Sequence, residues 1–345
     1  MKIRVLGAGI YGCHIALSLI NEGHTVEVHD IANRIFAGAS GGIPARLHTG
    51  QHYPRSGLTR AACQKHVKEF MSVYGHLTHC VKTNIYAIAE YDSLVDFDTY
   101  CKVLKDEIEY IKIHDPSEFG LKNVEGALLT GERHLVINKA IIYFKEQLKD
   151  RLKLDMPGGI PHSNEFDLTI DCTFCANEAL NIDRYEPCVT AIMEGPCDIA
   201  VTIMDGPFGS LYAWDEDLDL SSLTSAKYTP FSKTCKTWAG AKNLLNSQSL
   251  NDINDRSALM IEQMRNYYPA IDEYRHIDNK LSIRAMPRSG SDARLVSVDV
   301  KDKVVTIRAG KIDAILDAEK AVKGIISDCC DGNGIDDNKR AVGIR

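Results

Sequence analysis

The chain has 345 residues, 44% of them hydrophobic and 25% charged, with a formal net charge of −7. That length holds two domains or one large one and buries a sizeable core without covalent staples. The composition excludes a fibrous, low-complexity or strongly basic chain, so no global positive field draws it to nucleic acid.

Ile3-Arg4-Val5-Leu6 is short, apolar and rich in β-branched residues, as a buried parallel strand is. Gly7, Gly9 and Gly12 follow as G-x-G-x-x-G. The first glycine permits the tight turn, the second lets backbone approach a pyrophosphate, and the third lets helix pack on strand. Ile15, Ala16, Leu19 and Ile20 then recur at helical spacing, and Thr25 to His29 reads as a second strand with Asp30 at its end. A helix N-terminus at this turn favours phosphate oxygens, and an acid at position 30 suits ribose hydroxyls. Strand, glycine turn, helix, strand and acid together predict a dinucleotide site. An acid rather than an arginine at position 30 disfavours a 2′-phosphate.

Further on, the spacing predicts a helix over Lys139 to Leu152 and a strand over Leu168 to Cys172. Alternation from Cys197 to Trp214 predicts antiparallel strands, and Asp215-Glu216-Asp217 reads as a solvated turn between them. Ser257 to Tyr268 has helical spacing and stops before Pro269. The polar, glycine-bearing end of the chain is expected to fray or lie across the surface. Eleven cysteines, an odd and scattered set, read as reduced thiols of a cytosolic protein. Cys172 and Cys175 form the one C-x-x-C, with no second ligand pair at zinc spacing, so no metal is expected. The first apolar run is too short and glycine-broken for a signal peptide, and no run nears the roughly 20 apolar residues of a membrane span.

Four segments carry a resemblance. They are AGASGGIPARLHTGQHYPRSG (Ala37 to Gly57), FDLTIDCTFCAN (Phe166 to Asn177), MDGPFGSLY (Met204 to Tyr212) and VVTIRAGKIDAILDAEKA (Val304 to Ala321). With the opening motif they resemble the D-amino-acid-oxidase-like family of FAD enzymes, and RLHTGQHYPRS resembles a bacterial and viral branch of it. The resemblance implies an α/β fold: a Rossmann-like FAD-binding domain assembled from discontinuous segments (1–75, 130–180 and 280–325) plus an α+β substrate domain with a mainly antiparallel sheet (76–129 and 181–279). Residues 326–345 would form a polar tail. It implies non-covalent FAD held by Gly7, Gly9, Ile10, Tyr11, Gly12, Asp30, Ala39, Ser40, Gly41, Arg46, Leu47, His48, Thr173, Gly310, Lys311 and Ile312.

In the same resemblance His48, Lys311 and Arg55 are candidate catalytic groups, and Tyr53, Tyr212, Arg284 and Arg294 candidate substrate groups, with Arg288 a further option. Lys311, at a helix start, would stabilise reduced flavin; the plainer alternative is an ordinary helix-end lysine. Two departures bear on the substrate rather than the cofactor: Ser291-Asp292-Ala293-Arg294 replaces the family's Arg-Pro pair, and Ala309-Gly310-Lys311 replaces its Gly-His-Gly. The leading expectation is an oxidoreductase that takes a hydride from a C–H beside an amine. Alternatives are oxidation of a 2-hydroxy acid or polyol phosphate, and a flavin-dependent lyase trimming an amino acid from modified thymine in phage DNA. The expected partner is a small amine or acid, with modified DNA as the outlying case and no membrane; the expected place is the cytoplasm of a bacterium or of an infected host cell.

Overall fold

The computed structural model describes residues 1–156, 165–174, 176, 182–287, 296–330 and 340–342. The first half runs β1 (Lys2–Leu6), α1 (Ile10–Asn21), β2 (Thr25–His29), α2 (Ala39–Gly42), β3 (Arg46–Leu47), α3 (Gly57–Tyr74), β4 (Thr78–Cys80), β5 (Thr83–Ala89), α4 (Phe97–Leu104), β6 (Ile111–Ile113), β7 (Val124–Thr130), β8 (Arg133–Leu135), α5 (Ile137–Leu148), β9 (Leu152–Lys153) and β10 (Leu168–Asp171). The second half runs β11 (Ile182–Glu194), β12 (Ile199–Met204), β13 (Gly209–Asp215), β14 (Leu220–Ser225), α6 (Trp238–Asn246), α7 (Leu250–Arg265), β15 (Arg275–Pro287), β16 (Ser297–Lys301), β17 (Val304–Arg308), α8 (Ile315–Cys330) and β18 (Arg340–Val342).

Three sheets form. The first has the order β18-β16-β17-β10-β1-β2-β9. Its central pairs, β17 with β10, β10 with β1 and β1 with β2, are parallel. Its strands come from three separated stretches of chain, as a discontinuous Rossmann-like domain requires. Ile3, Val5, Val26, Val28, Leu168 and Ile170 bury here against Ile15 and Leu19 of α1 and Val322 of α8. The second sheet has the order β15-β11-β14-β13-β12-β5-β7-β6 and is antiparallel except where β12 meets β5. Along its strands the residues alternate: Ile85, Ala87, Val201, Ile203 and Leu211 bury against Met260 and Met264 of α7, so Tyr86, Thr202, Ser210 and Tyr212 take the opposite face. A small antiparallel sheet, β3-β8-β4, lies with these.

The opening turn follows its glycines. Gly7 has φ +92°, and a Cβ on Gly12 would stand 1.9 Å from the Gly7 carbonyl oxygen, so helix and strand meet backbone to backbone.

Several sequence expectations change. β15 stays in the second sheet to Pro287, beyond the 280 boundary, because it pairs with β11 along its length. Helix α7 begins at Leu250, where Ser249 and Asp252 form a capping box that a reading from apolar spacing passed over. Helix α8 continues to Cys330 and Arg340–Val342 adds an edge strand to β16, so those parts of the tail are ordered elements. Arg288, Arg294, Cys175 and Asn177 lie outside the described residues.

Asp215-Glu216-Asp217 does lie at the turn between β13 and β14, with Asp217 exposed, but Asp215 and Glu216 are not solvated. Asp215 is buried and accepts from Asn138 Nδ2 of α5, while Glu216 meets Lys139 Nζ at 2.9 Å, His79 Nδ1 at 3.3 Å and His134 Nε2 at 3.7 Å. These contacts fasten the second sheet to α5 of the first. Burial opposes the charge on Glu216, but His134, Lys139 and His79 outweigh it and lower its pKa to about 2. A lowered carboxylate stabilises the fold above its ordinary value and loses that contribution as pH falls through the folded one. Urea midpoints are therefore expected to fall for the wild type as pH drops from 4.5 to about 2, and to fall less steeply for Glu216→Gln. Equal slopes would show that Glu216 does not fasten the two parts.

Candidate active site

The glycine turn opens one end of a cleft of about 1740 Å³. The first intrahelical bond of α1 is Cys13 N–H to the Gly9 carbonyl at 3.0 Å, which leaves the Tyr11 and Gly12 amides without an acceptor in the helix. The Ile10 amide donates instead to Ser40 Oγ at 3.0 Å. A Cβ on Gly9 would sit 3.0 Å from that oxygen, so the bare backbone keeps the cradle open. Asp30 accepts the Ala8 amide at 2.7 Å and the Ala32 amide at 2.8 Å, one on each carboxylate oxygen. It thus ties the glycine turn to the segment after β2 and keeps a second lone pair on each oxygen for a ligand. At the end of β10, Thr173 donates through both N–H and Oγ1 to Asp171. This cradle fits a dinucleotide.

Of the residues singled out from the sequence, Gly7, Gly9, Ile10, Tyr11, Asp30, Ala39, Ser40, Arg46, His48, Tyr53, Thr173, Tyr212, Arg284, Gly310, Lys311 and Ile312 line this one cleft. Gly12, Gly41, Leu47 and Arg55 do not. Gly12 packs on Gly7, and a Cβ on Gly41 would stand 2.2 Å from the Phe36 carbonyl, so both serve close backbone packing. Leu47 is a core side chain. Arg55 is half exposed, with Nε 2.7 Å from Asp205, so it holds Asp205, itself a lining residue, and does not reach the cleft.

Arg46 also departs from its expected part. Its guanidinium is buried and donates to Thr202 Oγ1 (3.0 Å), Ser210 Oγ (2.9 Å), Tyr86 Oη (2.7 Å) and Glu132 Oε2 (3.0 Å). Its carbon stands 4.1 Å from the centre of the Tyr212 ring. With both terminal nitrogens committed, Arg46 holds the cleft together and is not poised to clamp a phosphate. Arg284 is likewise engaged, donating to Glu186 at 2.8 Å.

Glu132 is the residue that sequence reasoning missed. It is fully buried and accepts from Arg46, from Tyr86 Oη at 2.7 Å, from His48 Nδ1 at 3.2 Å and from the Thr49 amide at 3.2 Å. Burial raises its pKa, but His48 and Arg46 reverse that and hold it well below the carboxylate range. No local period marks it; an acid isolated between two strand-like stretches is the only signal. His48 sits between that carboxylate and the cleft, stacked on His52 at 4.6 Å. Burial lowers its pKa; Glu132 pulls up, Arg46 and Lys311 push down, and the result is about 4. His48 is therefore neutral at pH 7, and its bond to ionised Glu132 assigns the proton to Nδ1 and leaves Nε2 as an acceptor.

Lys311 and His48 share a neighbour: Lys311 Nζ stands 4.7 Å from the centre of the Tyr53 ring, and the His48 ring centre stands 5.6 Å from it. Its side chain is 6% exposed, with Nζ 3.1 Å from Cys63 Sγ, 3.5 Å from Tyr53 Oη and 3.7 Å from Asp313 Oδ2. Burial works against its charge, while Asp313, Tyr53 and Cys63 hold it and raise its pKa. Tyr11 Oη donates to the Lys311 carbonyl, so the first helix fixes the backbone that carries it. Among the described residues no group of three or more His, Cys, Asp or Glu could hold a metal, and no helix is long and apolar enough to cross a membrane.

No family model matches the chain. An FAD-dependent monooxygenase, FPY4 of Fusarium mangiferae, is 32% identical over 339 residues, which is 95% of this chain and 91% of that protein. The chain belongs to the same family of FAD-dependent enzymes. It is an oxidoreductase, and FAD is its cofactor. Among solved structures, the iminodiacetate oxidase from Chelativorans sp. BNC1 has a TM-score of 0.65 at 11% identity and covers 97% of this chain and 96% of that one. Glycine oxidase from Geobacillus kaustophilus has a TM-score of 0.66 at 10% identity, covering 96% and 95%. Both share the fold expected from the sequence. The sequence relative is fungal, and the comparisons lend no support to the bacterial and viral branch.

In this FAD enzyme the Arg46–Glu132 pair is expected to dominate stability. Glu132→Gln leaves a buried guanidinium without a counter-charge, a loss of about 3–5 kcal/mol, read as a lowered denaturant midpoint. A change within about 0.5 kcal/mol, as for an ordinary surface site, would refute it. His48 offers a second check: NMR titration is expected to place its protonation near pH 4, and a midpoint at its ordinary 6.5 would contradict the buried, neutral imidazole.

Proposed function

We propose that this enzyme oxidises a small amine or amino acid at the carbon bearing nitrogen, with the resulting imine hydrolysed to a carbonyl product and a released amine or ammonia. Bound FAD would supply the hydride acceptor. One observation carries the reading. The cleft that starts at the glycine cradle also takes in the hydroxyl-bearing face of the second sheet, at Thr202, Ser210 and Tyr212, with neutral His48 and charged Lys311 at its wall.

Each group has work in such a reaction. The charge on Lys311 disfavours an ammonium beside it, so the substrate enters as the uncharged amine, its proton left in solvent, and His48 Nε2 accepts a hydrogen bond from that amine and orients it. Lys311 places positive charge where electron density gathers on the cofactor. The sheet hydroxyls orient the remainder of the substrate, and the side chains around them exclude water. Iminodiacetate oxidase and glycine oxidase, by their names oxidases of amino acids, share the fold, which supports the reading by analogy.

A second reading, monooxygenation of a small substrate, is favoured by the name of the 32% identical relative. The two differ in their source of electrons. The yellow holoenzyme, mixed without oxygen with a panel of amines and amino acids, is expected to lose its visible flavin band with no nicotinamide present. If the band persists with every amine, yet NADH or NADPH bleaches it, and oxygen then enters an added substrate, amine oxidation is overturned in favour of monooxygenation.

A further inference from the structure

Asp313 follows Lys311 by two residues, in the turn that leads into α8. It is 1% exposed, and neither carboxylate oxygen has a hydrogen-bond partner among the described residues. A buried carboxylate in that position is costly unless its charge serves a partner. Its ion-pair partner is Lys311, with Nζ 3.7 Å from Oδ2. The other groups that face it give their hydrogen bonds elsewhere, although His66 also pulls on its charge. His66 of α3 bonds Asp317 at 2.7 Å, as Lys65 does at 2.8 Å. Cys63 of α3 receives Lys311 Nζ, and Tyr11 of α1 donates to the Lys311 carbonyl. Asp313 does not line the cleft, whereas Lys311 does.

We propose that Asp313 is a positioning residue that acts through Lys311: its carboxylate holds the buried ammonium at the cleft wall and offsets its charge there, and so sets how strongly bound FAD favours its reduced form. The physical basis is that two buried charges this close act on a third as a dipole, much weaker than either charge alone. Lys311 with Asp313 presents a modest positive field to the cleft. Lys311 without it would present a whole uncompensated charge. The directions of titration agree with a coupled pair: burial raises the Asp313 pKa against the pull of Lys311 and His66, while Asp313 is the largest influence holding the proton on Lys311. The inference needs FAD but no particular substrate, so it stands or falls apart from amine oxidation.

The test is the reduction potential of FAD in the holoenzyme, equilibrated without oxygen against a reference dye, with no substrate present. Asp313→Asn removes the offsetting charge and keeps the shape. It is expected to move the reduction equilibrium at least tenfold toward reduced FAD, about 30 mV for a two-electron couple. Asp313→Glu is expected to stay near wild type. In a Lys311→Met background the ammonium through which Asp313 acts is gone, so adding Asp313→Asn is expected to change nothing. An unchanged potential in folded, FAD-loaded Asp313→Asn overturns the proposal, and so does an equal shift in the Lys311→Met background, which would mean that Asp313 acts without Lys311. If Asp313→Asn does not fold, the double variant is expected to recover folded holoenzyme because the unpaired cation is gone; failure to recover it overturns the proposal as well.

Discussion

One buried guanidinium holds the working parts together. Arg46 leaves β3 in the small sheet and reaches Tyr86 on β5, Thr202 on β12 and Ser210 on β13, all in the second sheet, with Glu132 as its counter-charge. A charge taken out of water must be paired and hydrogen-bonded. Each of those strands is therefore committed to a fixed distance from the strand beside the cofactor cradle. Glu132 gives its other oxygen to His48 and the Thr49 amide, so the same pairing sets the orientation of a group on the cleft wall.

Two charge networks border the cleft and balance differently. On the Arg46 side, positive and negative charge cancel inside a closed network, and the group left facing the cleft is a neutral imidazole. On the α8 side, Lys311 faces the cleft and its counter-ion Asp313 stands behind it. The cleft thus has a hydrogen-bond acceptor and a cation, both beside Tyr53. Such a pair suits a reaction in which an uncharged nitrogen is oriented by one group and developing negative charge is stabilised by the other.

The fold is shared with oxidases at 10–11% identity, while the sequence relative is a monooxygenase. Their names diverge on chemistry, as expected when one scaffold hosts several reactions. In this chain, strand alternation on the second sheet turns hydroxyls and aromatics toward the cleft and leaves the aliphatic residues for α7.

The cofactor turn was legible because its causes are local. Gly7, Gly9 and Gly12 lie within six positions, and a positive φ or a backbone contact there admits almost nothing else. The alternating strands of the second sheet and the small-residue loop at Ala39 and Ser40 could be read for the same reason: a period or a short motif carries them. Arg46 and Arg55 were read as facing ligands and proved to be engaged by protein groups, because their partners Thr202, Ser210 and Asp205 lie some 150 residues away in the chain, and Leu47 proved to be a core side chain. Asp313 and the Asp215–Glu216 fastening had no local sign, and Glu132 had only its place as a lone acid between two strand-like stretches. By itself, then, the sequence determined the cofactor cradle, through short-range sterics and periodicity, and the class of fold through the resemblance its segments carry. The charge balance of the cleft was decided only by tertiary structure, because burial and pairing are properties of what folding brings alongside.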